Sequence, residues 1–115
     1  MTKDILQIIS TPGRRAGQTV LTLKGSLNIQ TIFEFQKATR EESATKLILD
    51  FSGVPYVDSA GLGALVGAYV AAQRTQRKLA VAGTNTQVKA LIEMTHVGTL
   101  IHSYATVQEA EEALG

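Results

Sequence analysis

Lys46-Leu47-Ile48-Leu49-Asp50-Phe51 is a short, nearly continuous apolar run. A strand with one wet face alternates apolar and polar residues. A run without alternation fits a strand covered on both faces, as in a parallel or mixed sheet. Parallel strands need crossover connections, so helices must lie on the sheet. Ser52-Gly53-Val54-Pro55 interrupts the run, and the strongest helical period of the chain follows. Leu62, Leu65, Val66, Tyr69 and Val70 fall at i, i+3, i+4, i+7 and i+8, one apolar stripe. Arg74, Arg77 and Lys78 gather at its C-terminal end, where cations complement the helix dipole and are expected to be solvated.

The same reading extends to both sides. Ile5 to Ser10 is a β-rich opening, and Pro12, Gly13 and Gly17 mark a turn around Arg14 and Arg15. Val20 to Lys24 alternates as a strand with one wetter face, which makes an N-terminal hairpin. Arg14, Arg15 and Lys24 are candidates to line one end of it, or simply a polar turn. Asn28 is a candidate helix N-cap; Thr31 and Glu34 are an alternative capping pair. Ile29, Ile32, Phe33 and Phe35 favour a helix to about Glu42. Leu79 to Ala82 reads as a buried strand ending at Gly83. Thr84 and Gln87 pair as a cap before the stripe Val88, Leu91 and Ile92, which stops near Gly98. Thr99 to Tyr104 fits a last short strand. Thr106 and Glu109 then cap a closing helix with Val107, Ala110 and Leu114 inward and Glu109, Glu111 and Glu112 solvated. The order β-β-α-β-α-β-α-β-α predicts an α/β fold with a mixed or parallel sheet.

Composition narrows the function. At 115 residues the chain suits one domain, 1–115, large enough to hide roughly 65% of its unfolded surface. It has no cysteine, which removes disulfides, thiolate metal sites and cysteine nucleophiles together. A net charge of +1 provides no electrostatic reason to expect nucleic acid or anionic membrane. No Trp, three Tyr and three Phe leave little for a base-stacking platform. No apolar run approaches the ~20 residues of a membrane span. Met1-Thr2-Lys3-Asp4 has an acid where a signal peptide would begin its apolar core. A cytoplasmic protein without cofactor is expected.

Chemistry concentrates in Tyr56-Val57-Asp58-Ser59-Ala60-Gly61-Leu62-Gly63, between the buried strand and the best helix. Asp58 or Ser59 caps that helix, which leaves Ser59 at or beside its N-terminus. Free amides and the positive end of the dipole would stabilise an anion placed there. Gly61 and Gly63 weaken a helix by roughly 1 kcal/mol each. They either keep the surface open to another molecule or let the helix pack closely on the sheet.

Lys46 to Leu65, KLILDFSGVPYVDSAGLGAL, resembles the signature of the STAS domain, in the branch of bacterial anti-sigma factor antagonists. The resemblance continues through Leu79 to Gly83, the helix of Val88, Leu91 and Ile92, and Thr106 to Leu114. It reaches weakly upstream to Gly25-Ser26-Leu27-Asn28. It implies a mixed sheet with about four helices packed on it, and a regulatory binding module rather than an enzyme. The serine matching Ser59 is phosphorylated in that family by an anti-sigma factor with a histidine-kinase-type ATPase fold. The unphosphorylated antagonist binds this partner and frees a sigma factor; a separate phosphatase resets the switch. The resemblance thus implies Ser59 as the phosphorylation site. Asp58, Ser59, Ala60, Gly61, Leu62, Gly63 and Asn28 become the partner-binding residues of a monomer or weak homodimer. The family usually has Asp where this chain has Asn28. Asn caps as well as Asp but offers a partner no negative charge.

Other readings are weaker. Gly61-x-Gly63-x-x-x-Gly67 is not G-x-G-x-x-G, because position 66 is Val. Val57 stands where G-x-S-x-G requires glycine before Ser59. His96 and His102 are the available bases, and six residues apart without cysteine they make a poor metal pair. An alternative within the resemblance is a scaffold or adaptor module in a stressosome-like assembly.

Overall fold

The computed structural model describes residues 4–94 and 101–115. Its sheet has five strands in the order β1-β2-β3-β4-β5. They are β1 (Gln7–Pro12), β2 (Gln18–Lys24), β3 (Lys46–Gly53), β4 (Lys78–Ala82) and β5 (His102–Tyr104). β1 pairs antiparallel with β2, and every later neighbour pairs parallel. Between them run α1 (Ile32–Glu41), α2 (Ser59–Arg74) and α3 (Thr86–Glu93), and α4 (Val107–Leu114) closes the chain. This is the mixed sheet expected from the alternation of elements. His96, Gly98 and Thr99, the first an expected base and the others expected element ends, lie outside the described residues.

β3 is covered on both sides, as its unbroken apolar run requires. Leu47, Leu49 and Phe51 join Leu21, Leu23 and Val81 against Phe35 of α1, Leu65 of α2 and Val88 and Ile92 of α3. Ile48, one residue out of phase, joins Val20, Ala80 and Ala82 against Ala110 and Leu114 of α4. Successive strand residues point to opposite faces, so one continuous run feeds two cores.

Several local expectations are corrected. β1 begins at Gln7, and Ile5 is exposed. Lys24 pairs with Gln7 and so sits at the opposite end of the hairpin from Arg14 and Arg15. The face that α2 buries carries Gly61, Ala64, Leu65 and Ala72, while Val70 is 43% exposed. Leu62 and Tyr69 of the expected stripe still pack against the core, and the small residues beside them complete the buried face. Thr31 is the N-cap of α1 but caps nothing with its side chain. Its Oγ1 donates to Ser26 O at 2.9 Å and accepts from Asn28 N at 2.9 Å. Gly83, at φ +74°, turns the chain out of β4, and Asn85 rather than Thr84 then caps α3 by accepting from Val88 N. Thr106 does cap α4, accepting from Glu109 N at 3.1 Å. Glu111, expected in solvent, is 6% exposed and accepts from Arg14 N at 2.7 Å. Arg77 is likewise not a free surface cation, since its Nε donates to Ala44 O at 2.7 Å. No helix among the described residues is long and apolar enough to cross a membrane.

Candidate functional site at the N-terminus of α2

The loop from β3 to α2 is pinned by Leu27. Leu27 N donates to Tyr56 O at 3.0 Å, and Asp58 N donates to Leu27 O at 3.1 Å. Leu27 and Val57 form an isolated parallel bridge, and both are buried. This clamp fixes the backbone one residue ahead of the helix. Asp58 is extended (φ −90°, ψ −177°), the conformation an N-cap needs. Its Oδ1 accepts from Gly61 N at 2.8 Å, and its Oδ2 accepts from Ile29 N at 3.1 Å. One carboxylate thus closes the first turn of α2 and holds the turn that leads into α1. The sequence left Asp58 and Ser59 open as caps; the geometry selects Asp58.

Ser59 is the first residue of α2 and is exposed. Of the leading amides, Leu62 N donates to Asp58 O at 2.8 Å and Gly61 N is taken by Asp58 Oδ1. Those of Ser59 and Ala60 come first, where a helix has no internal acceptor. An anion on Ser59 would meet these amides and the positive end of a 16-residue helix.

The two glycines have different roles. A Cβ on Gly61 would stand 2.2 Å from Leu27 O, so Gly61 is required for the close approach of helix to loop, and it is buried. A Cβ on Gly63 would meet nothing within 4 Å, and Gly63 is exposed. Ala60 and Leu62 are half-buried. Of the residues expected to face a partner, Gly61 therefore turns inward, while Ser59 and Gly63 lie open.

Asn28 comes to the same place. Its Oδ1 accepts from Gln30 N at 2.9 Å, and its Nδ2 donates to Asp4 Oδ2 at 2.5 Å. Asp4 N in turn donates to Gln30 Oε1 at 3.1 Å. Asn28 is thus engaged by the N-terminal segment, and its side chain caps a turn ahead of α1 rather than α1 itself. A groove of about 410 Å³ runs beside Ser59, with Tyr56, Val57 and Leu62 on one side and Gln87, Val88 and Leu91 of α3 on the other. Tyr56 (57% exposed) and Ile29 (64% exposed) border the site as uncovered apolar surface. Sequence reasoning missed Asp4 as the partner of Asn28 and the α3 residues as neighbours of Ser59. No local signal marks them, since both lie far from the site along the chain and only the folded chain brings them there. His102 lies on β5, paired with Ala80, and makes no hydrogen bond with Ser59. Among the described residues no group of three or more acidic or histidine side chains is set to hold a metal ion.

The five-stranded mixed sheet and the four helices of the described residues define a small α/β domain class. The STAS domain family model matches residues 9–110, and the chain belongs to that family. An anti-sigma-B factor antagonist of Staphylococcus aureus is 27% identical over 81 residues, 68% of this chain and 75% of the relative. The fold is also that of an anti-sigma factor antagonist from Mycobacterium paratuberculosis (TM-score 0.81, 19% identity, 95% of this chain and 93% of the other). It matches the Bacillus cell fate determinant SpoIIAA in its phosphorylated form too (TM-score 0.69, 16% identity, 96% and 100%).

Proposed function

We propose that this chain is an anti-sigma factor antagonist working as a phosphorylation-controlled binding module in the bacterial cytoplasm, and not as an enzyme. Unphosphorylated, it binds an anti-sigma factor that is also a serine kinase of the histidine-kinase-type ATPase fold, and so releases a sigma factor. Phosphorylation of Ser59 ends that binding, and a serine phosphatase restores it. The observation that carries the reading is the exposed Ser59 at the first position of α2, behind a cap whose carboxylate is already engaged by Gly61 N and Ile29 N. The names of the relatives support the antagonist role.

A phosphate on Ser59 adds about −1.5 to −2 charges. Within the domain the helix N-terminus favours that charge, and the neighbouring Asp58 offsets part of the gain. At an interface the same charge must be desolvated or repelled, which weakens association by several kcal/mol. The switch therefore acts by changing a surface rather than by refolding.

The test is a pull-down from lysate of the source cell with wild type, Ser59→Ala and Ser59→Asp as baits. An ATPase-fold kinase retained by the first two and lost with Ser59→Asp is the expected result. Equal recovery by all three would reduce Ser59 to a helix-end residue and leave the domain a constitutive adaptor.

A further inference from the structure

A second cavity lies along α2, away from the groove beside Ser59. It is a cleft of about 450 Å³ between α1 and α2, floored by Leu47 of β3 and Leu79 of β4. That volume lies within the range of small-molecule sites, roughly 300–1,000 Å³. Gly63, Gly67 and Ala71 form its α2 wall. Glycine inside a helix weakens it relative to alanine. For Gly61 the contact with Leu27 O explains the choice. For Gly63 and Gly67 it does not, because a Cβ at either position would meet nothing within 4 Å. The packing of this chain leaves those two positions open toward the cleft.

The charged lining has one sign, beside the neutral Gln36, Thr39 and Thr75. Arg40, Arg77 and Lys78 line the cleft, and no acidic residue does. Arg77 spends its Nε on Ala44 O, while its Nη2 is buried and finds no hydrogen-bond partner among the described residues. A guanidinium N–H removed from water without an acceptor is unfavourable, and carboxylates and phosphates are its strongest acceptors. An apolar floor, an open helix face and a cation with an unmet donor converge on one ligand chemistry.

We propose that the α1–α2 cleft binds a small amphipathic anion, an apolar body bearing one carboxylate or phosphate. The body lies over Leu47 and Leu79 against the glycine face of α2, and the anion turns the Arg77 guanidinium to itself beside Arg40 and Lys78. The site is separate from Ser59 and does not depend on phosphorylation.

The test is an amide chemical-shift titration of the full chain with decanoate, decyl phosphate and decanol, each below the concentration at which it forms micelles. Saturable shifts centred on Gly63, Gly67 and Ala71 are expected with one or both anions, and whichever binds tighter names the head group. Decanol should bind about tenfold more weakly, as should the anion to Arg77→Gln. Arg40→Gln, at an exposed position, provides a charge test that does not disturb the fold and should weaken binding severalfold. Gly67→Leu should abolish binding while leaving the melting temperature unchanged or higher. The proposal is overturned if neither anion gives saturable shifts, if decanol binds as well as the anions, if Gly67→Leu binds like wild type, or if the shifts centre on the Ser59 loop.

Discussion

Asp58 joins two turns with one carboxylate, since Gly61 N belongs to α2 and Ile29 N to the segment ahead of α1. Removing a capping carboxylate usually costs about 1–2 kcal/mol, and here a second amide loses its acceptor as well. Asp58→Ala should therefore lower the unfolding free energy measured in urea by about 2 kcal/mol, with Asp58→Asn losing less because one oxygen acceptor remains. The neighbouring position should behave differently. Ser59 is exposed and heads the helix, so Ser59→Asp should leave the melting temperature within a few degrees of wild type. A large drop would mean that a charge at Ser59 acts by unfolding, which would contradict a surface switch.

At the scale of the element, α2 contains three glycines whose substitution should not have one sign. Gly61→Ala drives a methyl into Leu27 O, which a helix can relieve only by moving away from the loop. The expected loss is about 2–4 kcal/mol, in the range of strained overpacking. Gly63→Ala and Gly67→Ala meet open space and should raise stability by about 0.5–1 kcal/mol each through helix propensity. Denaturant unfolding of the three variants decides the matter, and a common sign would disprove this reading of the helix. The face that α2 buries was legible only in part from its large apolar residues, since Leu62 and Tyr69 pack against the core beside Leu65. Leu65 sits on both the expected stripe and the observed contact, whereas Val70 does not. Periodicity weights side-chain size, while a helix laid close to a sheet is oriented by where side chains are small enough to permit contact.

At the scale of the molecule, the two ends of the chain are tied by buried polar groups. Glu111 of α4 accepts from Arg14 N at 2.7 Å, and Gln18 Nε2 donates to Glu111 O at 2.7 Å. Lys46 Nζ also donates to the Gly115 carbonyl. These bonds fasten α4 across the hairpin turn and the start of β3, over the core of Val20, Ile48 and Ala80. Glu111→Ala leaves the Arg14 amide without its acceptor and should cost about 1–3 kcal/mol, whereas Glu111→Gln keeps a carbonyl oxygen in place and should cost less. Comparison of urea midpoints at constant m-value tests this. Equal losses would assign the effect to packing alone.

The sequence alone determined the order of elements and the doubly covered β3, and it singled out the head of α2 as the candidate site. Each is written in neighbouring residues: an unbroken apolar run, a period of 3.6, an Asp-Ser pair before a helix. The motif from Lys46 to Leu65 was enough to point to the family. Tertiary structure decided which α3 residues lie beside Ser59, that Gly61, Ala64 and Ala72 join the buried face of α2, that Asn85 rather than Thr84 caps α3, and that Glu111 is buried. Asp4 reaches Asn28 across 24 positions, and Glu111 reaches Arg14 across 97. Capping and periodicity act within a turn or two of chain and can be read locally. A carboxylate exposed on its own helix becomes buried only when another element packs over it, and that depends on how the whole sheet is assembled.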